Sequence, residues 1–295
     1  MKSIFITGSS GFVGKNMLAY FNNSSITKYN RSTEVNIRED IVIHLAGMAH
    51  DIKKAIAESD YYLANTELTK QVFDHFLKSN AKVFITLSSV KAAADELNVE
   101  LTELHTPNPI THYGKSKLLA EQYILSNKIP HGKRVYILRP CMIHGPGNKG
   151  NLNLLYKIVS KGFPWPLGAF DNKRSFCSID NLCFSVNELI ENDTINSGSY
   201  KSADDEPLST NALIILIAES LLKIARIWNI PKFLIFAIAK IGDVFKLPLN
   251  TERLQKLTES YIVSNNKIVE AINKPLPYSS KEGLLKTINS FNQNA

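Results

Sequence analysis

At 295 residues, the chain is long enough for one large α/β domain or for a nucleotide-binding domain with a smaller appendage. Its composition, 44% hydrophobic and 21% charged without a low-complexity run, is that of a globular protein and excludes a disordered chain. A net charge of +7 and a pI near 9.1 favour an anionic partner. The basic residues are dispersed and not interleaved with aromatic residues, so we expect a phosphate-bearing small molecule and no nucleic acid.

The cysteines and the apolar runs suggest where the protein works. The three cysteines are odd in number and form no C-x-x-C pair, which predicts reduced thiols in a cytosolic protein and no metal site. The N-terminal segment reaches its glycines too early for a signal peptide, which also favours a cytoplasmic location. Residues 233–239 are apolar, but Lys240 interrupts them before the roughly 18 residues that span a bilayer. We predict a buried helix there and no stable membrane insertion, with a membrane-surface helix as the alternative.

A glycine-rich turn follows the first apolar run. Residues 3–6 have the pattern of a buried parallel strand, and an amphipathic helix follows the turn. Glycines here let the backbone turn sharply and approach a pyrophosphate, which the free N–H groups at the helix start then bind. The alternative is an ordinary strand–helix turn. We expect this turn to bind a dinucleotide through Gly8, Ser10, Gly11, Phe12, Val13 and Gly14.

The second predicted strand, residues 25–29, is followed by a basic residue. An acidic residue at this distance from the glycines would bind the ribose 2′-OH of NAD, but Arg31 stands there instead. A guanidinium is a bidentate partner for a 2′-phosphate, so NADP(H) is preferred slightly over NAD(H). The nine residues between Arg31 and Ile41 are too few for a strand and a crossover helix. A short strand at residues 35–37 is expected to remain, while the helix is lost.

Two further apolar strands end in small or polar residues. Carboxyl ends of parallel strands meet at one edge of a sheet, where ligands bind, so both strand ends are candidate cofactor contacts. The residues concerned are Leu45, Ala46 and Gly47 after one strand and Leu87 and Ser88 after the other. Asn65 lies on the inward face of a helix predicted for residues 56–78, as a link between helices or as a cofactor contact. Ser89 can hydrogen-bond a reacting oxygen, or alternatively cap the next turn.

Tyr113 and Lys117 lie four residues apart at the start of a predicted helix, and therefore on one face of it. An ammonium beside a phenol stabilises the phenolate, which predicts a Tyr113 pKa below its usual value of about 10. That arrangement is a general acid/base for a hydroxyl or carbonyl oxygen. The same spacing also occurs on ordinary surface helices.

Together these segments resemble the extended short-chain dehydrogenase/reductases of the NAD-dependent epimerase/dehydratase family. The matching motifs, in the family's order, are Thr7-Gly8-Ser9-Ser10-Gly11-Phe12-Val13-Gly14, His44-Leu45-Ala46-Gly47, Asn65, Ser88-Ser89, Tyr113-Gly114-Lys115-Ser116-Lys117, Leu138-Arg139-Pro140, His144-Gly145-Pro146-Gly147, Lys173-Arg174-Ser175-Phe176 and Ile179-Asp180-Asn181-Leu182. Beyond residue 200 the resemblance is weak.

The resemblance implies an α/β fold: a Rossmann-type, doubly wound parallel sheet with a small, mostly helical C-terminal domain. Residues 1–147 would bind NAD(P), with elements from about 175–201 returning to the sheet, and residues 148–295 would bind a nucleotide sugar. Ser89, Tyr113 and Lys117 would form the catalytic set, and Pro140 would contact the cofactor. The family also implies a homodimer through helices at about 56–78 and 113–127.

The expected substrate is a UDP-sugar. Asn151 and Leu152 open a helix that could seat a phosphate, and Leu167 lies in an apolar segment, residues 164–170, whose family counterpart lines the nucleobase. Arg174 is the candidate partner of the diphosphate. Arg253 could close over the phosphates, or be a solvated charge. The remaining candidate substrate contacts are Ser89, Val90, Tyr113 and Met142.

The predicted reaction is hydride transfer at C4 of a UDP-hexose or UDP-N-acetylhexosamine. Val90-Lys91, Met142 and Arg31 depart from the epimerase pattern and favour a 4-keto reductase of surface polysaccharide biosynthesis. A UDP-glucose or UDP-N-acetylglucosamine 4-epimerase is the first alternative. A 4,6-dehydratase is disfavoured, because Val90-Lys91 occupy the place of its Asp-Glu pair. The same fold could also serve a non-catalytic NAD(P)-binding regulator or a reductase of small ketones.

Overall fold

A six-stranded parallel sheet organises the protein. The computed structural model describes residues 2–30, 32–49, 57–97, 99–148, 150–245 and 250–292, with the backbone alone at residues 151 and 292. The strand order is β2-β1-β3-β4-β5-β8, and each neighbouring pair is parallel. The chain leaves β1 towards β2 on one side and continues from β3 on the other. The crevice at the carboxyl ends of β1 and β3 is therefore the ligand site of such a sheet.

The strands are β1 (Ser3–Thr7), β2 (Ser25–Lys28), β3 (Ile41–His44), β4 (Val83–Leu87), β5 (Arg134–Pro140), β6 (Met142–His144), β7 (Phe176–Ser178) and β8 (Gly198–Ser202). The helices are α1 (Phe12–Tyr20), α2 (Glu58–Tyr61), α3 (Leu68–Lys78), α4 (His112–Ser126), α5 (Asn151–Ser160), α6 (Ile179–Glu191), α7 (Thr210–Ser220), α8 (Lys232–Phe245), α9 (Thr251–Thr258), α10 (Asn266–Ile272) and α11 (Ser280–Asn292). A π-helical turn, Tyr62–Glu67, joins α2 to α3, and a short 3₁₀ turn, Val90–Ala92, follows β4.

Both faces of the sheet are covered by helices. Alternate residues of the central strands point to opposite sides, so Ile4 and Ile6 pack with α1 and α6, while Phe5 packs with α3 and α4. The predicted α/β class and parallel, doubly wound sheet are thereby confirmed. The strand predicted at residues 35–37 is wrong, because these residues pair with no strand. Val35 and Ile37 nevertheless bury their side chains under the sheet, and residues 32–40 contain no helix, as predicted.

The C-terminal region has a second buried cluster, built from α5, α7, α8, α9 and α11. β8 returns to the main sheet beside β5, close to its predicted position. Sequence reasoning missed α10 and the two-stranded sheet of β6 and β7, which are too short to show a clear period.

Helix α8 corrects the prediction of a buried helix. Only Ile235, Ala239 and Gly242 are buried, whereas most of its large apolar side chains are exposed. An apolar run predicts the helix but not its burial, because α9 and the C-terminal cluster cover only one side of it. Within the described ranges, no helix has both the length and the apolar character needed to cross a membrane.

Candidate active site

The turn after β1 lies directly against the end of β3. Gly8 has a φ of +69°, and a Cβ there would lie 2.6 Å from the Ala46 nitrogen. A Cβ on Gly14 would lie 2.2 Å from the Gly8 carbonyl oxygen, so this glycine lets α1 pack on the turn. Leu45 and Ala46 donate their N–H groups to the Thr7 hydroxyl, at 3.2 and 3.0 Å. The two predicted cofactor segments therefore form one continuous edge.

The start of α1 is suited to an anion. Gly11 is the N-cap, no side chain caps the helix, and its first turn carries no acidic residue. A Cβ on Gly11 would meet only the Gly8 oxygen, at 3.4 Å, which is ordinary contact. The protein's own packing therefore does not require this glycine, whereas a closely approaching pyrophosphate would. Ser10 and Gly11 are exposed, and Phe12 and Val13 half-buried, at the same turn. These residues fit a dinucleotide.

Asn65 ties two elements of the edge together. It is fully buried in the π-helical turn, where its amide exchanges two hydrogen bonds with the Met48 backbone and donates to the Ser116 hydroxyl. A side chain at Gly47 would fall 2.7 Å from Asn65 Oδ1 and 2.9 Å from Lys117 Nζ. Asn65 is thus a structural link, as one of the two predicted roles had it, and it lies beside the amine of Lys117.

The catalytic candidate helix, α4, is fixed at its first turn. The Thr111 hydroxyl accepts from the Gly114 N–H and donates to the Asp95 carboxylate, at 3.1 and 2.8 Å. A Cβ on Gly114 would lie 2.4 Å from the Lys91 carbonyl oxygen. Only glycine therefore lets α4 approach the turn that carries Ser89. Sequence reasoning quoted Gly114 as part of a motif but did not assign it this role.

The approach of α4 to this turn brings Tyr113 close to Ser89. Burial raises the pKa of the Tyr113 phenol above its usual value, and a hydrogen bond from the Ser89 hydroxyl opposes that rise. The predicted lowering of this pKa is wrong for the protein itself. Burial has the largest effect on the pKa, and the charge of Lys117 does not lower it. The phenol is therefore protonated at neutral pH and is a proton donor.

Lys117 turns away towards the sheet. Its ammonium donates to the Leu87 carbonyl oxygen at 2.9 Å. Burial lowers its pKa from 10.5 to about 8, although the Glu121 carboxylate opposes the change. With this pKa, the Lys117 amine is mostly protonated at neutral pH, and its positive charge lies between the ends of β3 and β4. Nearby His44 is held between the hydroxyls of Thr7 and Thr69, and burial lowers its pKa to about 3.

A buried ion pair beneath the site was missed by sequence reasoning. Glu121 lies four residues after Lys117, and the Arg139 guanidinium donates to both of its carboxylate oxygens. The Ser88 hydroxyl also donates to Glu121, so this side chain faces the ion pair. The i, i+4, i+8 series of Tyr113, Lys117 and Glu121 could have revealed the third member, since all three share one helical face.

The predicted substrate contacts lie in several separate parts of the structure. Val90 is buried in the turn after Ser89, and Met142 is partly exposed at the start of β6, just beyond Pro140 at the buried end of β5. Leu152 and Leu167 are buried in the C-terminal cluster. The side chain of Asn151 and all of Arg31 lie outside the described residues, so their predicted roles stay predictions.

Arg174 is placed close to the turn that follows Ser89. Its guanidinium donates to the Glu259 carboxylate at 2.6 Å, and Lys91 lies near both charges. Arg253 is exposed on α9, and neighbouring Lys256 pairs with Glu252 at the surface. The structure thus brings Arg174, but not the side chains of Leu152 and Leu167, towards the polar end of the site.

The arrangement combines a protonated phenol, a hydroxyl, a buried amine and a dinucleotide-shaped turn at one sheet edge. It can donate or accept a proton at an oxygen whose carbon exchanges a hydride. Among the described residues, no group of three or more His, Cys, Asp or Glu could hold a metal ion. The three cysteines are buried free thiols.

Comparisons with known proteins agree with this arrangement. Residues 30–200 match the NAD dependent epimerase/dehydratase family. The chain is 28% identical to a UDP-glucose 4-epimerase of Vibrio cholerae, over 99% of this chain and 96% of that protein. It is 26% identical to the N-acetyl-alpha-D-glucosaminyl-diphospho-ditrans,octacis-undecaprenol 4-epimerase of Escherichia coli O157:H7, over 97% and 94%. RMD from Pseudomonas aeruginosa, solved with NADPH, has the same fold at a TM-score of 0.74 and 19% identity, covering 100% of both chains. The protein therefore belongs to the NAD dependent epimerase/dehydratase family and is an enzyme of the short-chain dehydrogenase/reductase type.

Proposed function

We propose that the protein is a 4-keto reductase acting at C4 of a UDP-hexose or UDP-N-acetylhexosamine in the cytoplasm, in surface polysaccharide synthesis, with NADP(H) slightly preferred over NAD(H). The observation that carries the proposal is the close packing of α4 on the turn after β4, where a Cβ on Gly114 would lie 2.4 Å from the Lys91 carbonyl oxygen. This packing brings Tyr113 beside Ser89 at the edge that carries the dinucleotide turn. When bound, the nicotinamide supplies the hydride. Tyr113 gives its proton to the C4 oxygen, and the Ser89 hydroxyl orients that oxygen.

Lys117 and Arg174 have separate tasks in this proposal. The Lys117 ammonium keeps the edge positive beside Gly47, where we expect the ribose of the cofactor. Arg174 is proposed to bind the diphosphate of the substrate through its planar guanidinium. Its contact with Glu259 orients the group without enclosing it.

A 4-epimerase is the second candidate, since both full-length relatives described above carry that name. The same three residues would then act in both directions, with the cofactor retained through the cycle. The two relatives' substrates share a hexose attached through a diphosphate, in one case to a nucleoside and in the other to a polyprenol. A lipid-linked sugar therefore belongs in the same assay.

The test is to purify the full chain, extract any bound nucleotide, and assay UDP-sugars and a polyprenyl-diphosphate sugar with and without NADPH. Turnover of a 4-keto sugar only with added NADPH supports the reductase. Tightly bound NAD and interconversion of 4-epimers without added cofactor would support the epimerase instead. No turnover of any diphosphate-linked sugar contradicts both.

Tyr113→Phe separates an enzyme from a regulator on the same fold. We expect turnover to fall by about 10²–10⁴-fold with little change in cofactor affinity, because only the proton donor is lost. Unchanged turnover, or unchanged biological activity without turnover, would contradict the mechanism. Tyr123→Phe, near the end of α4, is the matched control.

We also propose a homodimer through residues 58–78 and 112–126, whose adjoining surfaces expose Leu63, Leu119 and Leu125. Sedimentation of the wild type against a Leu63→Glu variant tests it, with dissociation expected for the variant.

A further inference from the structure

Exposed apolar side chains are concentrated in one stretch of the C-terminal region. Of the 21 exposed large apolar side chains in the described part of the chain, ten lie within residues 222–245. We call these ten the apolar surface: Leu222, Ile224, Trp228, Phe233, Leu234, Phe236, Ile238, Ile241, Val244 and Phe245. Scattered exposed apolar residues are normal, but a concentration of this kind marks an interaction site.

Helix α8 is apolar on both of its sides. Its buried residues, Ile235, Ala239 and Gly242, recur at i, i+4 and i+7, and Ile235 and Ala239 belong to the C-terminal cluster. The opposite side carries a second apolar series at i, i+4, i+8 and i+11: Phe233, Ala237, Ile241 and Val244. A surface helix ordinarily presents polar residues there. The outer side of α8 is therefore fitted to an apolar medium.

The loop before α8 extends the same character. Leu222 has a φ of +54° directly after α7, a conformation that favours glycine, and its side chain is 97% exposed. Ile224 is 91% exposed. The protein therefore buries neither of these two apolar side chains.

The charges within this surface are mostly basic. Residues 222–245 contain Lys223, Arg226, Lys232 and Lys240 against one acidic residue, Asp243. An anionic partner is complementary to this pattern. A second copy meeting the same surface about a twofold axis would instead oppose like charges.

A cleft opens within the same region and combines both characters. It has a volume of about 370 Å³, and its lining includes apolar Val159, Phe163 and Ile224 together with basic Lys223 and Arg226. Such a cleft accommodates an amphiphile with an anionic head group better than a wholly polar or wholly apolar ligand.

We propose that the apolar surface docks the protein peripherally on an anionic lipid bilayer, with α8 lying along the interface. Apolar and aromatic side chains mixed with Lys and Arg are the composition of interfacial helices, whose apolar face enters the boundary between head groups and acyl chains. α8 is held to the protein through Ile235 and Ala239, so it stays on the bilayer surface and does not cross it. This docking is independent of the reaction that the enzyme catalyses.

The test is flotation of the full-length protein with two kinds of vesicle, one of phosphatidylcholine alone and one containing about one-third phosphatidylglycerol. We expect the protein to float with the anionic vesicles and to remain unbound with the neutral ones. Phe233→Ser with Ile241→Ser should raise the lipid concentration needed for half-binding by about tenfold or more. Val99→Ser with Leu104→Ser, at exposed apolar positions elsewhere, is the matched control and should bind like the wild type.

A second pair of variants tests the charges without touching the apolar side chains. Lys232→Gln with Lys240→Gln should weaken binding to anionic vesicles by about tenfold or more, since basic residues near the surface are attracted to the anionic head groups. Lys78→Gln with Lys82→Gln, exposed on another part of the molecule, should not.

Three outcomes would overturn the proposal. The first is a wild type that floats with neither vesicle. The second is equal loss of binding in the target and control pairs. The third is a serine pair that changes the sedimentation of the protein while vesicle binding stays absent, which would assign the surface to a second copy. Thermal unfolding of each variant shows that the fold is retained.

Discussion

The carboxyl edge of the sheet and the outer side of α8 depart in opposite ways from the usual separation of polar and apolar side chains. At the edge, Asn65, Lys117 and Glu121 are buried, and each has a hydrogen-bonding partner. On α8, Phe233 and Val244 are exposed.

The difference shows what each region needs. Proton transfer depends on fixed distances, which a fully partnered buried polar network provides at the cost of holding charges away from water. Contact with a lipid surface depends on exposed apolar area, which is non-directional and needs no such network. Sites with these two demands can lie in one chain because their supporting clusters are separate.

The largest expected effect is a difference in stability between variants of two glycines at the carboxyl edge of the sheet. Gly14→Ala should prevent stable folding, a loss of at least about 4 kcal/mol, because its Cβ would lie 2.2 Å from the Gly8 oxygen. Gly11→Ala should fold normally and bind cofactor weakly. Thermal unfolding and cofactor titration measure both, and equal stability of the two variants would contradict the role assigned to Gly14.

The next effect concerns the buried charge of Glu121. Glu121→Gln should destabilise the protein by about 3–5 kcal/mol, because Arg139 would keep a buried charge without a counter-ion. Glu252→Gln, in an exposed pair with Lys256, is the control and should cost less than about 1 kcal/mol. Urea unfolding measures the two. Similar losses of unfolding free energy in the two variants would show that the buried ion pair contributes no more to stability than the exposed pair.

A smaller effect of opposite sign is expected at Lys117. Its folded pKa, about 8, lies below the unfolded value of 10.5, so the unfolded state binds more protons between these pH values and stability rises with pH across that window. Lys117→Met should therefore stabilise the protein by about 1–3 kcal/mol at pH 7, while abolishing activity. The difference in unfolding free energy between this variant and the wild type should narrow as the pH rises from 8 to 10.5. Lys115→Met, on the exposed face of α4, is the matched control.

The smallest effect tests the exposed side of the comparison. Leu222→Gly should raise stability by up to about 1 kcal/mol, since glycine adopts the φ of +54° without strain. The same change should weaken vesicle binding, because a 97% exposed side chain is lost. Leu104→Gly is the control. A variant that loses stability would show that Leu222 has packing that its exposure does not reveal.

Predictability differed between the two regions for a physical reason. Near the edge, glycines at Gly8 and Gly14 and the Tyr113–Lys117 spacing are local requirements, so they could be identified without coordinates. The Glu121–Arg139 pair joins a helix to a later strand and depends on their packing. In the C-terminal region, apolar periodicity predicted α8 as a helix but not which of its sides would be covered.

The sequence by itself indicated the parallel α/β sheet and the glycine turn, because strand periodicity and backbone conformation are set by neighbouring residues. Together with the family resemblance, it made Ser89, Tyr113 and Lys117 the catalytic candidates. Tertiary structure alone decided the direction in which the Tyr113 pKa shifts and the exposure of α8. Burial of Tyr113 raises its pKa where its neighbour Lys117 was expected to lower it. Burial depends on which distant segments pack together, and no local pattern specifies that.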